Sequence, residues 1–453
     1  MIKRNIMPTG ILFLAVVLLP AIVCAQDTSR KQSINIISTY KPVLRNAVKI
    51  NFSGSQLPAD TSRNVGPYNI PAQNLFYAYQ PISLKPLALE QDSNLYLGGR
   101  RYLKAGFGNF NTPYLKAGIS FGDGKTSLVN ITGRYISSKG TIKNQDYSLF
   151  NIKGSGSYFG KTNEIYGSAS FSRDNYYLYG YNHALYDYKK ATINQQFQDL
   201  TITAGIRNTA VNDLKIKYNP NVQVNYFTNV DKLTETNLLV DLPVEKMFGE
   251  NFSFKVDAKA DITRYSTIGF IPNNYKISND LLQVSPALVY SSSRIKVNGG
   301  ITPIWNNGEF DWVPNIYAEG QLQEKVFLIQ AGWVGRYIKN NYKYLSGLNP
   351  YLAPITAQLN TKEVEFYGGI KATLGNHFNF SGKVGWITYH NLPFFINDTS
   401  LVTDEKDFII SNETRVNDLR VHADVSYISH DKLTLTGGLT LNGYTGMQRN
   451  AKA

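Results

Sequence analysis

Residues 251–262, NFSFKVDAKADI, alternate strictly between apolar and polar side chains. Because successive side chains of a β-strand point to opposite faces, this segment predicts a strand with hydrocarbon on one face and water on the other. Its length is about twice that of a typical soluble strand, whereas a tilted strand needs roughly 9 to 11 residues to cross a bilayer. The pattern favours a membrane β-barrel over a soluble β-sandwich.

The same alternation recurs from residue 102 onward in about 17 segments. Apolar faces without a charge begin at Leu115, Ile165, Ile295, Val364, Phe378, Leu419 and Leu433. A Lys or Arg on the lipid face costs about 2 to 4 kcal/mol at the bilayer midplane, so such repeated clean faces indicate contact with lipid. The sequence therefore predicts an all-β fold, a transmembrane antiparallel β-barrel.

Short and long connections alternate between these segments. The short ones include GDGK from Gly122, SSSR from Ser291 and GNH from Gly375. The long ones are expected at residues 173–196, 266–279, 338–362 and 391–415. Outer-membrane barrels have short periplasmic turns and long outer loops, and a sandwich has no reason for this parity.

The N-terminus has the pattern of an export signal over residues 1–25. Lys3 and Arg4 precede an apolar stretch at residues 11–23, which is too short to span a membrane as a helix. An N-terminal anchor is the alternative, and a lipobox at Cys24 fits less well because Val23 precedes it. We expect a Pro-rich periplasmic or lumenal arm at residues 26–101 and the barrel at residues 102–453.

An odd seventeenth strand would end on the outer side of the membrane, whereas bacterial single-chain barrels have an even number of strands. One explanation is a miscounted strand. The other, which we favour, is a C-terminally truncated barrel that would have roughly 18 to 22 strands when complete.

Three segments carry a family resemblance: SINIISTYKPVLRNAVKINF from Ser33, QNLFYAYQPISLKPLAL from Gln73 and YLKAGFGNFNTPYLKAGISFGDGKTS from Tyr102. They resemble a group of Bacteroidetes outer-membrane proteins related to TonB-dependent receptors. The resemblance implies a receptor-like barrel in the outer membrane of a Gram-negative bacterium. Residues 26–101 are too few for the full plug of such receptors. The resemblance also implies a TonB-contact segment at Ile34, Asn35, Ile36, Ile37 and Ser38.

Two further sets of residues are candidate contacts. Tyr176, Tyr177, Tyr179 and Tyr181 fall in a predicted outer loop, where aromatic faces can stack on a ligand; an aromatic girdle is the alternative. Charges on the predicted lumen phase could line a solute path or hold the arm, and a solvated ladder of ion pairs is the alternative. These charges are Lys255, Asp257, Lys259, Asp261, Arg420 and Asp424.

Catalysis, metal binding and nucleic-acid binding have little support in the sequence. His422 lies between Arg420 and Asp424 on the lumen phase, but no serine can be placed beside it from sequence alone. We find no metal-spaced cluster and no cofactor motif, and the net charge of +13 comes without a nucleic-acid-binding module.

Two functions remain in competition. In the first, the barrel binds or passes a nutrient at the cell surface, with coupling to TonB through the N-terminal segment; its ligand is a small molecule of unknown identity. In the second, the barrel is a structural anchor that presents the arm at residues 26–101 to envelope assembly or secretion proteins. Both place the barrel against outer-membrane lipid, and neither makes it an enzyme.

Overall fold

The computed structural model describes residues 101–210, 212–267, 276–323, 327–375, 377–398, 406–429 and 433–448. All of them belong to one compact unit, residues 87–453. The predicted signal peptide, nearly all of the predicted arm and the predicted TonB-contact segment at residues 34–38 lie outside the described residues. Those three expectations stay predictions.

The described residues form a single antiparallel sheet of 18 strands, which confirms the predicted all-β barrel fold. The strands are β1 Arg101–Gly108, β2 Thr112–Gly122, β3 Ser127–Ser138, β4 Tyr147–Phe159, β5 Asn163–Tyr177, β6 Asn194–Asn208, β7 Ile216–Tyr218, β8 Asn221–Asn229, β9 Thr234–Phe248, β10 Phe252–Ser266, β11 Lys276–Ser291, β12 Ile295–Asn306, β13 Glu309–Gln323, β14 Phe327–Ile338, β15 Thr361–Leu374, β16 Phe378–Asn397, β17 Phe408–Ser429 and β18 Leu433–Thr445. The described residues also contain an α-helix, α1, at Tyr342–Leu348 and a 3-10 helix at Lys190–Thr192.

This sheet forms the wall of the barrel, and β7 and β8 share one position in it. Both pair with β9, Ile216 opposite Lys246 and Asn221 opposite Asp241. The strand is interrupted between them at Asn219–Pro220, because proline has no N–H to donate to the hydrogen bonds of a sheet. The 18 strands of the described sheet therefore fill 17 positions, as the sequence predicts, and β10 is the ninth of them.

The two faces of the wall differ as the alternation requires. On β10, Phe254 is 43% exposed on the outward face, whereas Ser253, Thr263 and Tyr265 of the opposite phase are buried. The outward faces of the other strands carry exposed apolar side chains such as Leu115, Ile202 and Ile301. Hydrocarbon therefore covers the outside of the wall, and polar groups face the lumen.

Connections at one end of the wall are short and those at the other end include the long ones. At the short-turn end, Asp123 Oδ1 accepts the backbone N–H groups of Lys125, Thr126 and Ser127 at 2.9, 2.7 and 3.1 Å. These bonds hold the pKa of the Asp123 carboxyl below its ordinary value. The long-loop end carries residues 178–193 and 339–360.

The structure corrects one predicted loop. Residues 391–415 were expected to be a long connection, but β16 continues to Asn397 and β17 begins at Phe408. The two strands stay paired from Phe378–Tyr427 to Asn397–Phe408. The paired ends, FFIN at residues 394–397 and FIIS at residues 408–411, are rich in Phe and Ile, which favour β-strands.

Candidate functional site

The connection between β14 and β15, residues 339–360, folds inward, and we call it the lumen loop. Its residues bond or pack against lumen-facing groups of β6, β8, β9, β10 and β11, and against β17 on the other side. β9 is five strands away from β14 along the sheet. The lumen loop therefore crosses the lumen at the long-loop end of the strands.

The start of α1 is held by a carboxylate from the opposite wall. Glu235 on β9 is fully buried, and its two oxygens accept the backbone N–H groups of Tyr342 at 2.8 Å and Lys343 at 3.1 Å. The side-chain amide of Gln358 donates to the same carboxylate at 2.9 Å. These N–H groups have no partner within the helix, so Glu235 supplies the acceptors that they need.

Lys339 fastens the beginning of the lumen loop. Its ammonium nitrogen lies 2.9 Å from Asp261 Oδ1, 2.6 Å from the Asp261 carbonyl oxygen and 2.6 Å from the Asn279 carbonyl oxygen. Burial lowers the pKa of Lys339 from its ordinary value, and the negative charge of Asp261 opposes that shift. The lysine thus joins the loop to β10 and β11.

Lys343 makes the second ionic contact with the opposite wall. Its ammonium nitrogen lies 2.9 Å from Asp199 Oδ1 on β6 and 3.3 Å from Thr201 Oγ1. The Asn225 side chain on β8 donates to Asp199 and, at 2.7 Å, to Thr201 Oγ1. The neighbouring outward residues Leu200 and Ile202 are exposed and apolar, so the loop reaches the level of the hydrocarbon belt.

An aromatic cluster fills the space above these polar contacts. Tyr342 has no exposed surface, and its ring centroid lies 6.3, 6.0 and 5.7 Å from those of Phe197, Phe227 and Tyr265. The burial raises the pKa of the Tyr342 hydroxyl. Leu345, Leu352 and Ile355 complete the cluster, together with Leu233. This is the largest of the buried apolar clusters among the described residues.

Four asparagines close the base of the loop. Asn360 donates from its side chain to Asn279 Oδ1 and to Asn306 Oδ1, both at 2.7 Å, and its own Oδ1 accepts from Asn279 Nδ2 at 2.9 Å. The same oxygen accepts the Asn340 backbone N–H at 3.1 Å. Asn340 Nδ2 donates to Thr361 Oγ1 at 2.8 Å. The two ends of the lumen loop are thereby bonded to each other and to the wall.

The four predicted tyrosines have different environments. Tyr176 and Tyr177 lie at the end of β5 rather than in a loop. Tyr176 and Tyr179 pack edge-on against Tyr351 of the lumen loop, with ring centroids 6.2 and 5.5 Å apart. Tyr181 is buried, and its hydroxyl accepts a hydrogen bond from Asn144 at 2.9 Å. Ligand contact by these residues stays a prediction.

The predicted lumen charges on β10 divide into two groups. Asp261 is bonded to the lumen loop, as described above, and to Asn237 at 2.5 Å. Lys255, Asp257 and Lys259 are partly buried and lie toward the short-turn end. Asp257 lies within electrostatic reach of both lysines and of Asp241 on β9. Only Asp261 belongs to the lumen-loop site.

The other predicted charges form a separate ladder on β17. Arg420 donates to Asp418 and Tyr389 at 3.0 Å and to Asn442 at 2.9 Å. Asp424 accepts from Ser381 at 3.1 Å and lies 2.7 Å from His422 Nε2. These contacts join neighbouring strands, as in a polar cross-strand ladder.

Sequence reasoning missed the residues that make the site: Glu235, Lys339, Tyr342, Lys343 and Asn360. It placed residues 338–362 in an outer loop without predicting that they fold inward. The usable signal was Tyr, Leu and Ile among the asparagines of that segment, because an exposed loop has no need of so many large apolar residues. The partners could not be found, since Glu235 is 107 residues from Tyr342 in the chain.

Neither helix within the described ranges has the length and hydrophobicity that a membrane-spanning helix requires. Within the same ranges, no group of three or more His, Cys, Asp or Glu side chains is arranged to hold a metal ion.

Solved structures with a similar fold include two transporters and a receptor. The FrpB iron transporter from Neisseria meningitidis (F3-3 variant) matches with a TM-score of 0.55 and 11% identity, over 76% of this chain and 61% of that one. The siderophore receptor PirA from Pseudomonas aeruginosa matches with a TM-score of 0.54 and 11% identity, over 74% of this chain and 61% of that one. The copper transporter OprC matches with a TM-score of 0.56 and 12% identity, over 76% of this chain and 63% of that one.

At these identities the likeness shows the fold alone. The chain spans less than two thirds of the length of each of these structures. No protein-family model and no curated protein matches the sequence.

Proposed function

We propose that this barrel lies in the outer membrane of a Gram-negative bacterium and binds or passes a small solute at the cell surface. The long-loop end faces the outside and the short-turn end faces the periplasm. The proposal is supported by the apolar outward faces of the strands, by the charged lumen phase and by the fold shared with an iron transporter, a siderophore receptor and a copper transporter.

The observation that carries the proposal is the lumen loop tied across the interior by Glu235, Lys339 and Lys343. A barrel that only anchors an arm has no need of a loop held on both sides of its lumen. A barrel that handles a solute does, because a constriction sets which solutes reach or cross the interior.

The test is conductance and solute flux through the full chain in planar bilayers and liposomes. Replacing residues 341–358 by a short Gly-Ser linker removes the constriction, so conductance should rise severalfold over that of the intact protein. Replacing residues 182–187 of the other long loop by a linker is the matched control and should change conductance little. If both proteins insert into the bilayer but neither conducts nor retains a solute, the proposal is wrong and the structural anchor is favoured.

We further propose that uptake is coupled to TonB through Ile34, Asn35, Ile36, Ile37 and Ser38, after removal of residues 1–25. Deleting residues 33–42 should abolish energised uptake and leave insertion into the membrane intact. Uptake that survives this deletion would remove the coupling from the proposal and leave the barrel itself untouched.

A further inference from the structure

A groove runs along the outward face of the wall where β9, β10 and β11 lie side by side. Ala258 and Ala260 form its floor, because each is the smallest residue in its row of the sheet. Ala258 pairs with Leu242 on β9 and Val284 on β11, and Ala260 pairs with Val240 and Leu282. The resulting groove has a volume of about 600 Å³ and opens outward.

Most of the groove's lining is hydrocarbon, with an aromatic ring on one side and Asp280 at the upper end. Leu242 and Leu282 are about 40% exposed on the outward face. Trp305 on β12 pairs with Leu282 and lines the groove, with its ring 5.6 Å from that of Phe310. Indole rings favour the border between the hydrocarbon and the headgroups, so Trp305 marks that border.

Cations lie directly beyond this border on the same outward face. Arg264 belongs to the outward phase of β10, and its side chain is 54% exposed. Asp280 and the Thr263 carbonyl oxygen take three of the five N–H donors that a guanidinium offers. Lys276 is exposed on β11, opposite Ser266 and two positions from Ser278, the partner of Arg264. Two positive charges therefore stand against the single negative charge of Asp280.

The distance between the groove and the cations suits a single amphiphilic molecule. From Ala258 to Ile262, which pairs with Asp280, the chain advances four residues, or about 13 Å at the rise of a β-strand. A mainly apolar channel of that length, with an indole in the row of Ala260 and excess positive charge beyond Ile262, matches an acyl chain followed by a phosphate.

We propose that this groove binds an acyl chain of a phosphorylated lipid of the outer leaflet, whose phosphate contacts Arg264 and Lys276; phosphatidylglycerol, which shares the acyl chain and the phosphate, is the probe for it. The inference uses the membrane location of the proposed function and is independent of transport. Its consequence is a preferred lipid at one sector of the wall, adjacent to the strands that hold Glu235 and Asp261 on the lumen side.

Trp305 supplies the readout for the experiment. The other three tryptophans of the chain, Trp312, Trp333 and Trp386, are replaced by Phe, so that fluorescence reports on the groove alone. The full chain is then titrated in phosphatidylcholine vesicles with phosphatidylglycerol that carries brominated acyl chains. Quenching of Trp305 should saturate at a lower fraction of brominated phosphatidylglycerol than of brominated phosphatidylcholine.

Two variants test the two halves of the site. A258L/A260L fills the groove and should reduce quenching to that expected from random lipid contact, whereas A169L on the outward face of β5 should not. R264Q/K276Q should remove the preference for phosphatidylglycerol, at about fivefold in apparent affinity per cation. D280N removes the competing carboxylate and should strengthen the preference.

Equal quenching by the two lipids, or quenching unchanged in A258L/A260L, would overturn the inference. Heat-modified electrophoretic migration and far-ultraviolet circular dichroism establish that each variant is folded and inserted. Failure of the parent protein to insert would count against the proposed membrane location, which separates that failure from the failure of the groove.

Discussion

Glu235 and Tyr342 are joined across the lumen by a hydrogen bond of 2.8 Å from the Tyr342 backbone N–H to the Glu235 carboxylate. The carboxylate belongs to the wall and the N–H to the first turn of α1. Because Glu235 also accepts from Lys343 and Gln358, one buried side chain fixes both the helix and the returning part of the lumen loop. The predictions below concern this attachment and the wall around it.

Replacing Glu235 by Gln should release the start of α1. The amide oxygen can accept one N–H, but the amide nitrogen is a donor and faces a second N–H, so a buried donor loses its partner. We expect a loss of about 2 kcal/mol in the local stability of residues 340–346. Hydrogen exchange of these amides measures it. E245Q on the same strand, whose carboxylate accepts from Ser253, is the control and should leave these amides protected.

Replacing Lys339 by Met should leave the partly buried Asp261 without its cation. Removing one partner of a buried ion pair costs about 3 to 5 kcal/mol of stability, and removing the other partner as well recovers part of that loss. The double variant K339M/D261N should therefore be more stable than K339M alone in urea unfolding from lipid. A double variant as unstable as K339M would show that the two side chains do not interact.

The stability of the lumen loop should depend on pH through Lys339. Burial lowers the pKa of this lysine from its ordinary value of 10.5, so the folded loop holds the proton less tightly than the unfolded chain. Folding then releases a proton, and stability should rise with pH in the window from the lowered pKa up to about 10.5. Hydrogen exchange of residues 340–346, corrected for intrinsic rates, should show this rise in the parent protein. The rise should be absent in K339M.

Truncation of Tyr342 tests the aromatic cluster. Y342A removes a fully buried ring from contact with Phe197, Phe227 and Tyr265 and should cost about 3 to 5 kcal/mol. Y342F is the matched control, because it keeps the ring and loses only the contacts of the hydroxyl, a 3.4 Å hydrogen bond donated to the Leu352 carbonyl oxygen and the contact with Asn229. It should cost less than about 1 kcal/mol. Equal losses for the two variants would show that the hydroxyl, and not the ring, carries the contact.

Gly122 should be irreplaceable in the turn between β2 and β3. Its φ of +105° is one that other residues rarely adopt, and a Cβ atom there would lie 2.2 Å from the Ser127 carbonyl oxygen. G122A should therefore destabilise the hairpin by about 1 to 3 kcal/mol. G154A in the middle of β4, where nothing lies within 4 Å of the added Cβ, is the control and should be close to neutral.

The wall could be predicted from sequence because its rule is local. In β10 every second residue from Phe252 to Ile262 faces outward, and the neighbours of a strand repeat the same alternation. The break at Asn219–Pro220 and the continuation of β16 to Asn397 were harder, since both depend on how far two strands remain paired.

The lumen loop could not be predicted because its contacts are distant in sequence. Lys343 reaches Asp199 across 144 residues, and Tyr342 reaches Glu235 across 107. A single sequence gives no measure of which lumen-facing residues meet a loop from another part of the wall. The charge at Asp261 was assigned to the lumen, but nothing local distinguishes it from Asp257, which lies away from the loop.

The asparagine contacts between Asn340 and Asn360 have a further consequence. They close residues 341–359 into a ring whose neck is fastened to β11 and β12 through Asn279 and Asn306. We therefore expect that residues 341–359 can change in length or composition without shifting β14 against β15. Under the proposed function, a different solute could therefore be accommodated by changing residues 341–359 while the strands of the wall stay as they are.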